Sequence, residues 1–115
     1  MIAASYNLGF NRGDTVRRQF RLWVDNDKDR PADLAGATAM AILRDGLTDR
    51  QILALECVVQ APNIIEMALT SVQSRDLPTG GLWELKLTYP SGDVVTVLKG
   101  PVHVDAVSQK LAVVK

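Results

Sequence analysis

Apolar residues in this chain recur at every second position and almost nowhere at the three- and four-residue spacing of a helix. That period decides what the chain can fold into. In TVRRQFRLWV, Val16, Phe20, Leu22 and Val24 fall on one side, and Arg17, Gln19, Arg21 and Trp23 on the other. In LWELKLTY, Trp83, Leu85, Leu87 and Tyr89 alternate with Glu84, Lys86 and Thr88. Successive side chains of a strand point to opposite faces, so each run is expected to be a strand with one buried face. SYNLGF, with Tyr6, Leu8 and Phe10 in phase, joins ATAMAIL, ILALECVV, NIIEMALT, DVVTVLK and VHVDAV to complete the set. Turn residues separate them at NRGD, DNDKDRP, RDGLTDRQ, QAPN, PSGD and Gly100–Pro101.

Two windows depart from the pattern. LTDRQILALE also satisfies a helical spacing, with Asp49 as a cap. A strand over Ile52 to Val59 is preferred, because the segment turns β-branched and a turn follows at once. TSVQSRDLPTGG is polar and does not alternate, and is expected to be a helical turn crossing between sheets. Seven or eight short strands and one such turn predict an all-β fold, an immunoglobulin-like antiparallel β-sandwich. The likeness is architectural: the lone Cys57 excludes an intersheet disulfide, and Trp83 comes late for a core tryptophan.

At 115 residues the expectation is a single domain over 1–115, with extended arms at 1–12 and 108–115. An apolar fraction of 47% against 23% charged residues excludes a disordered chain. Thirteen basic and thirteen acidic side chains cancel, which removes bulk attraction to nucleic acid or to an anionic membrane. MIAASYNLGF lacks a basic region followed by an apolar run, and no stretch approaches the ~18 apolar residues of a spanning helix. Cys57 alternates in phase with Leu53, Leu55 and Val59 and is expected to be a core residue, not a reactive thiol.

WVDNDKDRPAD opens like a calcium loop, with Asp25, Asp27 and Asp29 at alternate positions. The sixth position, where the sharp turn needs glycine, is Arg30, and the twelfth, where a glutamate would give two oxygens, is Gly36. Lys28 and Arg30 add positive charge, so a solvated hairpin-type connection is expected and no metal. Arg12-Gly13-Asp14 spells an adhesion tripeptide, but three residues recur by chance, and a turn explains them. His103 and Asp105 share a strand face with no nucleophile placed to join them. Gly80 and Gly81 precede a strand, not a helix, and form no phosphate loop. No catalytic residue and no cofactor is expected, and the chain is read as a non-enzyme.

Arg12, Arg17, Arg18 and Arg21 cluster near Trp23. Guanidinium groups beside an aromatic ring suit a single nucleic-acid strand, a protein interface or a plain solvated face. In a neutral chain nucleic acid is the least favoured, and Trp23, Arg17 and Arg21 are the candidate interface residues.

Asp33, Leu34, Gly36 and Ala37 match one recurring segment of a known family. Thr70, Gln73, Leu77, Pro78 and Gly81 match a second, and Gly92, Gly100 and Val102 a third. The chain thereby resembles, from about residue 13 to residue 107, the immunoglobulin-like domain at the N-terminus of phage baseplate upper proteins and related tail components. Where that family prefers Asp-Gly in the first segment, this chain has Lys28, Asp29 and Arg30. The resemblance implies a structural part of a virion, assembled in the host cytoplasm. Its partners would be other phage structural proteins and further copies of itself in a symmetric homo-oligomer. A soluble ligand-binding module, such as a carbohydrate-binding domain, is the alternative, disfavoured because aromatic residues are only 5% of the chain and none lies in an obvious loop.

Overall fold

The structure is a computed structural model that describes residues 4–24 and 30–105. Its strands are β1 (Ala4–Ser5), β2 (Leu8–Asn11), β3 (Val16–Arg21), β4 (Thr38–Asp45), β5 (Gln51–Gln60), β6 (Ile64–Leu69), β7 (Gly80–Thr88) and β8 (Val94–Asp105). The helix α1 (Ser71–Arg75) lies between β6 and β7. The strands hydrogen-bond in the order β1-β8-β7-β4-β5-β6-β3, with β2 also on β8. β5 serves two layers: Gln51 to Cys57 pair with β4, and Val58 to Gln60 with β6. The sheet thus folds over on itself, and the β3–β6 layer faces β4, β7 and β8 as an immunoglobulin-like sandwich.

The alternation does what the sequence asks of it. Ala39, Ala41 and Leu43 on β4 and Trp83, Leu85 and Leu87 on β7 are buried, facing Phe20, Ile65, Met67 and Leu69 from the other layer. Three aromatic rings tie the layers together. Phe20 stacks on Trp83 at 5.7 Å, and Tyr6 meets both edge-on, at 5.1 and 6.0 Å. Each such pair adds roughly 0.5–1.5 kcal/mol beyond the area it buries. Late as it comes in the chain, Trp83 is the core tryptophan, only 1% exposed.

The helical turn forms where expected, and its cap shows why. Thr70 Oγ1 accepts from Gln73 N while Gln73 Oε1 accepts from Thr70 N, a reciprocal capping box. Ser74, fully buried, accepts from Gly13 N at 3.0 Å and donates to Asp14 O at 2.7 Å. The NRGD turn is thus clamped to the crossover.

Three features differ from the sequence expectation. Residues 4–11, expected within an extended arm, form a sheet edge: β1 and β2 run parallel to β8, pairing Ala4 with Leu98 and Leu8 with Val102. The pairing of this sandwich is therefore not wholly antiparallel. The two segments expected on either side of Gly100–Pro101 are one strand, β8. The break appears on the partner instead, since Tyr6 and Asn7, between β1 and β2, lie opposite Gly100 and Pro101. Proline offers no N–H to a ladder, and a side chain at Gly100 would collide with the Tyr6 carbonyl. That carbonyl accepts a hydrogen bond from Trp83 Nε1 at 2.9 Å, so the first strand is pinned by the core at its own interruption.

The third difference concerns Val24, expected inward and found 55% exposed. β3 ends at Arg21 because its ladder with β6 ends at Ile64. Just beyond it, a Trp23–Pro31 bridge and a Val24 N to Arg30 O hydrogen bond of 2.8 Å hold 23–24 against 30–31.

Candidate interaction surfaces

The residues singled out for chemistry are not gathered into one site. Arg17 and Arg21 are exposed on one face of β3, as expected, beside Gln19. Trp23 lies two residues beyond Arg21, outside the strand and partly buried, so it does not continue their row. Arg18, at an inward position, sends its guanidinium sideways to Gly9 O at 2.8 Å. Inward-pointing charges on terminal strands are one device by which natural sheets discourage strand addition.

Among the other candidates, His103 Nε2 and Asp105 Oδ1 meet at 2.8 Å with both side chains mostly exposed. Solvent screens such a pair. In the tripeptide, Gly13 N is held by Ser74, and the Nε of Arg12 is buried without a hydrogen-bond partner. The first three aspartates of the calcium-like pattern fall at 25–29, outside the described residues. Gly36, at its twelfth position, has φ +75° and packs against Pro90. Among the described residues no group of three or more His, Cys, Asp or Glu side chains is arranged to hold a metal ion. Cys57 packs against the core, and burial pushes its thiol up to about 11, partly offset by a hydrogen bond from the Ala41 backbone.

A surface that sequence reasoning passed over stands out on the outward side of β5, β4 and β7. Register places Glu56, Met40 and Lys86 in one row and Ala54, Ile42 and Glu84 in the next. Met40 is 39% exposed, and the neighbouring Val58 and Val94 are each 58% exposed. A depression of about 450 Å³ opens there, lined in part by Met40, Ile42, Glu56, Lys86 and Val94. Arg44 Nη2 and Lys86 Nζ approach Glu84 at 3.2 and 3.9 Å. The signal was present in ATAMAIL, whose apolar residues occupy both phases of the alternation: Ala39, Ala41 and Leu43 face in, Met40 and Ile42 face out. Strands buried on both faces carry apolar residues in both phases, whereas here the outer phase lies open.

The three matched segments have structural explanations. Asp33 Oδ1 accepts from Ala35 N, Leu34 is fully buried, and Gly36 takes a left-handed conformation. Thr70 and Gln73 make the capping box, while Leu77 and Val102 are core residues.

No family model matches this chain, and no curated protein matches it. Among solved structures, the crystal structure of CopC from Methylosinus trichosporium OB3b is similar over 91% of this chain and 88% of that chain, with 14% sequence identity and a TM-score of 0.45. A superposition this loose carries no functional argument.

Proposed function

We propose that this chain is a non-enzymatic building block of a bacteriophage particle, from the tail, the baseplate or a head-attached complex, that works by assembling with other subunits. The support is the correspondence between the resemblance and the backbone. The matched residues are the caps, turns and core positions that build this sandwich, so the resemblance covers a whole architecture and not a scattered set of residues. The arginine face of β3 and the apolar outer face of β4 supply surface for subunit contacts.

Quantitative mass spectrometry of purified particles tests the proposal, with a fixed copy number as the expected result. Absence from particles, together with a stable monomer that binds glycans, would replace it with a carbohydrate-binding module. Trp23 and the two exposed arginines are tested separately. Trp23→Ala should leave melting and circular dichroism close to wild type while abolishing incorporation, because Trp and Arg dominate subunit contacts. Normal incorporation, or simple unfolding, would remove Trp23 from the interface.

A further inference from the structure

The geometry points to a second copy of this chain as the occupant of the outward face of β5, β4 and β7, related by a two-fold axis running along β4. This deepens the assembly proposal by naming a partner, and rests on that proposal for its biological sense.

A face-to-face contact about an axis parallel to β4 sets β5 of one copy over β7 of the other, at the same height along the strands. Met40 and Ile42, on β4, then meet their own counterparts. Glu56, beside Met40 on β5, falls over Lys86 of the second copy, and Lys86 over its Glu56, because both are register partners of Met40. One row thus yields two opposite-charge pairs around an apolar centre. In the next row Ala54 covers Glu84, which brings its own counter-charge from Arg44 at 3.2 Å. An isologous contact requires that a patch complement itself, and this arrangement of an acidic side, an apolar middle and a basic side does so. Packed sheets of this kind lie about 10 Å apart with strands nearly aligned, close enough for Met40 and Ile42 to touch their counterparts.

Sedimentation of the full chain over a range of concentrations tests the contact, using Glu56→Lys, Lys86→Glu and the two combined. The wild type is expected to dimerise. Each single reversal sets like charges opposite each other twice and should weaken the dimer about tenfold or more, while the double reversal restores it to within about threefold of wild type. Met40→Lys, which places two ammonium groups on the axis, should give a folded monomer that melts as the wild type does at concentrations too low for the dimer.

A wild type that stays monomeric at every concentration overturns the self-contact, whatever then covers the face, and leaves assembly with other proteins standing. A dimer indifferent to both single reversals, or one that the double reversal does not restore, overturns it equally. A dimer that behaves as expected but is absent from particles would sink the assembly proposal and spare this one.

Discussion

β4 and β7 present two faces built by one alternation, and the two obey different rules. Inward, Ala41, Leu85 and Leu87 are fully buried, and Trp83 is locked by a hydrogen bond and two ring contacts. Outward, Met40, Ile42 and Leu82 share the surface with Arg44, Glu84 and Lys86. Apolar residues facing in repay the conformational entropy of folding. The same residue types facing out bury less in the monomer, and are best understood through what could cover them. The lesson is that stability and assembly are written on opposite parities of the same strands, so they should separate cleanly under mutation.

Removing the ring at the centre of the inner face is the largest test of that separation. Trp83→Ala should cost about 3–5 kcal/mol, enough to threaten the fold of a domain this small, as read by a denaturant or thermal melt. A soluble variant melting like wild type would mean the inner face had been assigned backwards. Next in size, Gly100→Ala forces a methyl against the Tyr6 carbonyl and should cost about 1–3 kcal/mol, by strain or by displacing the first strand. Hydrogen exchange would show the loss concentrated in residues 4–11.

A smaller effect follows from Cys57. Its thiol ionises near 9.0 when unfolded and near 11 when folded, so below pH 9 both states are protonated and nothing changes. Between those values the unfolded chain loses its proton first, and native stability falls as pH rises. With allowance for solvent reaching a partly buried thiol, the loss is on the order of 1 kcal/mol. Melts of wild type and Cys57→Ala from pH 8 to 10.5 should diverge by that amount, which separates it from tyrosine and lysine ionisation. Smallest of all, Met40→Gln, at an exposed outer position, should change monomer stability by less than about 0.5 kcal/mol. A loss of 2 kcal/mol there would erase the distinction between the faces.

Much of this was legible in the sequence because strand alternation and turn chemistry are local signals. The strand at Ile52–Val59, the helical turn after Thr70 and the burial of Trp83 all follow from neighbours within a few residues. Two features depend on partners far along the chain and left no local mark. The parallel pairing of β2 with β8 joins Leu8 to Val102, and no turn residue records it. Gly100–Pro101 reads locally as a strand end, yet its interruption is transferred to the opposite strand. The candidate site divides in the same way. Exposure of Arg17 and Arg21 follows from parity alone, but the position of Trp23 depends on where β6 stops supporting β3. The outer stripe at Met40 and Ile42 was written in ATAMAIL and passed over, because a buried inner face already accounted for the segment.

The pairing of residues 4–11 with 98–105 also sets a timetable for the chain as it is made. Among the described strands the earliest made pairs with the latest made, and at 5–20 residues per second about 5–20 s separate the two. Through that interval Tyr6 and Leu8 have no ladder to join, and the carbonyl that Trp83 will bind stays in water. Closing the sheet is then the most non-local event in the fold, the kind that makes β-sandwiches slow to complete. Until residues 4–11 dock, the newly made β8 presents a bare edge open to a neighbour's first strand.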